Sequence, residues 1–221
     1  MYLAIEGVIG VGKTTLARLL QPLFQANLLL EVFEENPFLS DFYADRERYA
    51  FQTQIFFLLS RYHQQHTAVP QLLGKGNTLI ADYTFEKDAL FARINLRGDE
   101  LTMYDRVHAA LAEKIPKPDL IVYLRADTDV LMQRISLRDR PYERNMQRDY
   151  IHQLNLAYEE FFNGPWRAGY EESPPVLAVD TNHLDYVRLA EDLKWVENRI
   201  RQALKLSPFQ AELPLILPKE D

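Results

Sequence analysis

Five short apolar runs punctuate the chain, and longer segments of helical period separate them. The first, YLAIE at 2–6, is continuous rather than alternating and gives way to glycine, as a strand buried on both faces would. LLLEVFE at 28–34, TLIADYT at 78–84, KPDLIVYLRA at 117–126 and PPVLAVDT at 174–181 repeat the pattern. Between the first two, KTTLARLLQPLFQ places Leu16, Leu19, Leu20 and Leu23 on one helical face, with Pro22 expected to kink or end the helix. Residues 36–69 predict two helices, with Pro37 in the first turn, and Pro70 with GKGN at 74–77 predicts a loop. Further helices are expected over 85–96, 99–114, 128–138, 148–163 and 183–205. This alternation predicts an α/β fold: a five-stranded parallel sheet with helices on both faces. No linker or internal repeat divides it, so one domain over residues 1–205 is expected, followed by a proline-containing tail at 206–221.

Composition narrows the function. The 221 residues carry a formal net charge of -7, the wrong sign for a nonspecific nucleic-acid binder, so a small ligand is expected rather than a polymer. With no cysteine there is no disulfide framework and no thiolate zinc site, which fits a reducing cytosol. No stretch reaches the ~20 apolar residues of a membrane span, and the apolar N-terminus lacks the basic flank and cleavage site of a signal peptide.

The chemistry starts at GVIGVGKTT, residues 7–15. Gly7, Gly12, Lys13 and Thr14 satisfy G-x-x-x-x-G-K-[ST] between a strand and a helix. In such a phosphate loop the main-chain amides of Gly7, Val8, Ile9, Gly10, Val11, Gly12, Lys13, Thr14 and Thr15 face a nucleotide phosphate, here that of ATP. Lys13 reaches the outer phosphates, and the Thr14 hydroxyl is placed to ligate magnesium. A GTPase is disfavoured: no glycine after the loop has Asp three places before it, and N-K-x-D is absent. An ATPase is disfavoured because the third strand ends in ADYT, with Asp82 alone. A small-molecule kinase is left as the leading class. Six arginines, Arg125, Arg134, Arg138, Arg140, Arg144 and Arg148, crowd residues 125–148. They form either a solvated charged helix, paired with Asp127, Asp129, Asp139 and Glu143, or a lid at about 138–148 that closes over the nucleotide.

Taken together, AIEGVIGVGKTTLA, EVFEENPFLSDFY, FQTQIFFLLSRYHQ, IADYTFEKD, PKPDLIVYLRA and RISLRDRPYE resemble the deoxynucleoside kinases, most closely the bacterial deoxyguanosine/deoxyadenosine kinase branch. The resemblance runs from residue 1 to about 205. It implies a P-loop kinase that moves the ATP γ-phosphate to the 5′-hydroxyl of a deoxynucleoside, here a deoxypurine. It implies Mg²⁺ held by Thr14 and Asp82, and a homodimer. By position against the family's E-P-V pattern, Glu34 is the expected base, with Glu35 the alternative. Of two glutamines that could read the base edge, Gln54 lies seven residues before Arg61, about 700° and so on its face, whereas Gln52 lies about 900° away on the opposite face. Tyr43 matches the tyrosine that holds the sugar 3′-hydroxyl, and Glu143 the acid that closes over the same group. Asp88 matches the acid paired with the base-reading residues. Arg134, Arg138 and Arg140 match phosphate and adenine contacts, with Arg134 also assigned to stabilising the transferring group. Asp180 is expected near the adenine or as a helix cap. Tyr83 departs from the family, standing where an arginine contacts the 5′-hydroxyl; Arg61 or Arg134 could compensate. Two alternatives stay open: a nucleoside monophosphate kinase such as a thymidylate kinase, and a module that binds ATP without transfer.

Overall fold

A computed structural model describes residues 1–32, 35–163 and 173–207. Among these, five strands form one parallel sheet in the order β2-β3-β1-β4-β5. β1 (Tyr2–Glu6) is central, between β3 (Thr78–Ala81) and β4 (Leu120–Arg125), with β2 (Ala26–Leu29) and β5 (Val176–Asp180) at the margins. Every residue of β1 is buried, as are Leu120 through Leu124 of β4. A strand buried at successive positions is covered on both faces, as the expected layered α/β architecture requires. The phosphate loop leaves the carboxyl end of β1 between β3 and β4, where ligands gather in open α/β sheets.

The helices are α1 (Lys13–Leu23), α2 (Leu39–Ala44), α3 (Arg46–Leu73), α4 (Lys87–Asn95), α5 (Gly98–Ala112), α6 (Thr128–Arg138), α7 (Arg148–Asn163) and α8 (Ala190–Ala203). Leu16, Ala17 and Leu20 are the buried stripe of α1, and Pro22 falls in its last turn. α3 is the long rod of the molecule: its 28 residues span about 42 Å at 1.5 Å per residue. Asp45 caps its start by accepting from the Arg48 amide at 3.3 Å.

Three expectations are corrected. β2 is expected over 28–34 but occupies Ala26–Leu29, because β3, its one ladder partner among the described residues, ends at Ala81. The Leu29 carbonyl takes the Asp82 amide at 3.2 Å, and residues 30–32 then leave the sheet. Pro70 lies inside α3 rather than in a loop. It removes one main-chain donor near the helix end, where buried Val69 holds the last turn and the Pro70 carbonyl still accepts from Gly74. α8 begins at Ala190 rather than at 183, since residues 182–189 are held in turns. There the Asp185 amide donates to the Asp192 carboxylate at 2.7 Å, and the Asp185 carboxylate accepts from the Arg188 amide at 3.1 Å. The tail expected at 206–221 lies almost wholly outside the described residues.

Candidate active site

The phosphate loop is shaped by close backbone contacts. Gly7 has φ +147°, and a Cβ there would sit 2.4 Å from the Leu124 carbonyl oxygen. Gly12 has φ +103°, and a Cβ there would sit 2.4 Å from the Tyr186 hydroxyl. Only glycine satisfies both demands at these points. The rear of the loop is strapped to the segment after β5. Arg134 donates to the Val11 carbonyl at 3.3 Å and to the hydroxyl and carbonyl of Thr181 at 2.9 and 2.6 Å. Tyr186 reaches the same Val11 carbonyl at 3.4 Å. Beneath the loop, buried Glu6 accepts from the Gly7 amide at 3.1 Å and the Thr84 amide at 2.6 Å. Burial raises its pKa, although Lys87 and Lys13 pull the other way.

Lys13 bends back over the loop, donating to the Gly7 carbonyl at 2.7 Å and the Val8 carbonyl at 3.3 Å. Burial, then repulsion from Lys87, lowers its pKa to about 8. Thr14 donates its hydroxyl to Asp82, whose other carboxylate oxygen accepts from the Glu31 amide at 2.8 Å. The ends of β2 and β3 are thereby tied to the start of α1.

Glu31 is the centre of a buried charge group. Its Oε1 accepts from the Arg61 guanidinium, through Nε at 3.0 Å and through Nη2, and its Oε2 from Lys87 at 2.7 Å. Arg61 also pairs through Nη1 with Asp88, which is fully buried. Burial would raise the Glu31 pKa, but Arg61 and Lys87 outweigh it and hold the carboxyl below its usual range. Two acids and two bases in contact leave the group formally neutral, the condition under which such charges tolerate burial.

Lys13, Thr14, Glu31 and Asp82 line one end of an open cleft. Gln54, Phe57, Arg61 and Phe91 line its other end, and Tyr43 and Tyr142 stack at 6.2 Å beside it. The Phe57 ring packs under Arg61, 4.3 Å from the guanidinium carbon to the ring centroid. Arg138, Arg140 and Glu143 close the rim. Arg138 grips buried Glu143 with Nε at 3.1 Å and Nη2 at 2.6 and 2.7 Å. α6 ends at Arg138 as Asp139 turns left-handed (φ 50°), and a 3₁₀ turn at Pro141–Glu143 carries the rim onward.

Of the residues expected at the site, Ile9, Gly10, Lys13, Thr14, Tyr43, Gln54, Arg61, Asp82, Arg138, Arg140 and Glu143 meet in this cleft. Gln54 is buried and Gln52 exposed, as their helical phase requires. The side chains of Val8 and Val11 pack in the core and Thr15 is exposed; what the motif expects of these three is their main-chain amides. Tyr83 is buried beneath the cleft and donates to Gln64 at 2.5 Å. Arg134 braces the loop from behind, and exposed Asp180 caps a turn through the Asn182 amide at 2.9 Å. Asp88 reaches the site only through Arg61. Phe57 also lines the cleft, whereas Leu59, on the same helix, is exposed. Glu34 lies outside the described residues, and Glu35 is exposed. Glu31 and Lys87, which no sequence motif singles out, also line the cleft; Glu31 is the first carboxylate after the β2 ladder ends.

Comparisons with known proteins agree with this geometry. The family model "Deoxynucleoside kinase" matches residues 3–205. A deoxyguanosine kinase of Bacillus subtilis (strain 168) is 34% identical over 203 residues, covering 92% of this chain and 97% of that protein. A deoxyadenosine kinase of Dictyostelium discoideum is 34% identical over 213 residues, covering 94% of this chain and 83% of that protein. Among solved structures, deoxyadenosine kinase from M. mycoides with bound dCTP superposes with a TM-score of 0.76 at 26% identity, covering 91% of this chain and 100% of that one. The same enzyme with bound dATP gives a TM-score of 0.77.

Proposed function

Because this chain belongs to the deoxynucleoside kinase family, we propose that it transfers the γ-phosphate of ATP to the 5′-hydroxyl of a deoxypurine nucleoside. One observation carries this reading: a paired carboxylate, Glu31, sits beside the phosphate loop in the same cleft as a buried amide, Gln54, flanked by aromatic rings. The names of the Bacillus and Dictyostelium relatives support a purine acceptor.

The roles follow from position. Lys13 and the loop amides hold the outer phosphates of ATP. Glu31 accepts a hydrogen bond from the 5′-hydroxyl and aims its oxygen at the γ-phosphorus. In a loose phosphoryl-transfer transition state, such positioning matters more than basicity. The assignment moves the base from Glu34 to Glu31. Gln54 can donate and accept at a purine edge at once, and Phe57 and Phe91 supply apolar contact with the ring. Arg138 and Arg140 come over the phosphates as the rim closes, with Arg138 exchanging Glu143 for phosphate oxygen. Magnesium fits the residues present: Thr14 and Asp82 offer hard oxygen donors already in contact, and the ion needs only one or two from protein. When bound it neutralises charge on the phosphate oxygens. A cytoplasmic homodimer working in nucleotide salvage completes the proposal, supported by the family resemblance; among the described residues no helix is long and apolar enough to cross a membrane.

The test is a phosphorylation screen with ATP and magnesium over deoxyadenosine, deoxyguanosine, deoxycytidine and thymidine, run beside their monophosphates. Turnover of deoxyadenosine or deoxyguanosine above the pyrimidines is expected. Turnover of thymidine monophosphate instead would favour the thymidylate kinase reading, and ATP binding without any product would favour a non-catalytic module.

A further inference from the structure

The charges around Glu31 are unequally shared. Arg61 answers to two acids, Glu31 and Asp88. Lys87 pairs with one acid among the described residues, Glu31, through Oε2 at 2.7 Å. The guanidinium therefore holds one oxygen of the carboxylate and the ammonium the other. Lys87 is only 5% exposed, and a lysine is rarely so buried unless a partner requires it. Its ammonium stands 5.5 Å from the centroid of the Tyr83 ring. That ring is pinned in turn: its hydroxyl donates to Gln64, whose amide donates to the Leu30 carbonyl at 2.9 Å, one residue from Glu31. The tyrosine that occupies the position of an expected arginine thus forms a shelf under a lysine four residues later. Lys87 also lines the cleft, and its charge depresses the pKa of Lys13, so the two ammoniums face a common space.

We propose that Lys87 is the positioning residue for Glu31, supplying the cation missing at Tyr83 and turning the carboxylate toward the attacking hydroxyl. In the transfer the O5′–H bond breaks and its proton passes to Glu31. The O5′–P bond forms as the bond from the γ-phosphorus to the leaving ADP oxygen breaks, and Lys87 keeps its proton throughout. Arg61 cannot take over, because its third nitrogen is committed to Asp88. Arg134 cannot either, since it is fastened to Thr181 and Val11 behind the loop.

The inference rests on Glu31 being the base, so the experiment is a double-mutant cycle of Lys87→Met and Glu31→Gln, with Lys87→Arg as the charge-preserving control. Lys87→Met is expected to lower kcat by about 100-fold while leaving the KM for nucleoside and for ATP within about threefold. Lys87→Arg should recover at least about tenfold of the loss. The double variant should be no slower than Glu31→Gln alone, since a residue acting through Glu31 has nothing left to position. Additive losses, or wild-type kcat in Lys87→Met, would overturn the proposal. If Glu31→Gln turns over like wild type, the base assignment falls and the lysine with it. If Glu31→Gln is crippled and Lys87→Met is not, the lysine role alone falls. Should Lys87→Met fail to fold, Lys87→Gln keeps a donor without the charge and enters the same cycle with the same expected non-additivity.

Discussion

At one end of the cleft, Gly7, Gly10 and Gly12 bring main-chain amides together within six consecutive residues, and the lysine and threonine that complete the site follow at once. Beside it, Glu31, Arg61, Lys87 and Asp88 come from three separate stretches of chain and meet only as side chains. The first region offers a ligand only groups that every residue possesses, and its sequence has only to keep side chains out of the way. The second depends on four particular charges balancing one another away from water. A backbone site of this kind breaks through shape and a side-chain site through charge, and each failure has a different signature.

The largest expected effect tests the phosphate end. Lys13→Ala should lower kcat by about 10³-fold or more with the fold retained, because it removes a charge aimed at the transferring group. Wild-type-like turnover in that variant would show that the triphosphate is held elsewhere. Next, Glu31→Gln should lower kcat by about 10²- to 10³-fold and leave nucleoside binding, measured by calorimetry, nearly unchanged. Glu34→Gln and Glu35→Gln should stay near wild type, and a reversal of this ranking would return the base to the position first expected. Gly7→Ala probes shape rather than charge. Its Cβ would meet a backbone carbonyl at 2.4 Å, so a loss of about 2 kcal/mol in urea unfolding is expected, together with weakened ATP binding. An unchanged unfolding midpoint would mean that the strand ends can part more easily than their packing suggests.

The smallest effect lies at a side chain outside the cleft lining. His108 is stacked on Phe85 at 4.9 Å, and burial lowers its pKa below 6.5. Between that depressed value and 6.5 the unfolded chain binds a proton that the folded chain refuses, so stability falls as pH drops through this window. His108→Phe keeps the ring stack and should flatten that part of the stability–pH curve without altering turnover. An identical slope in both proteins between pH 5 and 7 would assign the dependence to other groups.

What was legible in the sequence follows the same division. The phosphate loop and β1 were readable because the signal is contiguous: an apolar run, glycines at fixed spacing, then a helix. Gln54 and Arg61 were readable because helical phase is a local rule that α3 obeys over its whole length. Glu31 was hidden by its neighbours. Val32 and Phe33 continue the apolar run, so the sequence predicts a strand through residue 34 and places Glu31 inside it. A ladder ends where its partner ends, and that depends on β3, some fifty residues away. Lys87 opens a helix and gives no local sign that its partner lies 56 positions earlier. Arg134 stands out in the sequence only as one of a cluster of arginines, and its commitment to Thr181 and Val11 depends on the order of the strands.

α3 carries Gln54, Phe57, Arg61 and Gln64 along one wall as a single unbroken rod. Each residue added to or removed from such a rod rotates everything beyond it by about 100°. An insertion between Gln54 and Arg61 would swing the arginine away from both of its acids, whereas exchanging one side chain leaves its neighbours in register. Changes of nucleoside preference in this chain should therefore come from substitution along the helix, and length variation should be confined to the loops at its two ends.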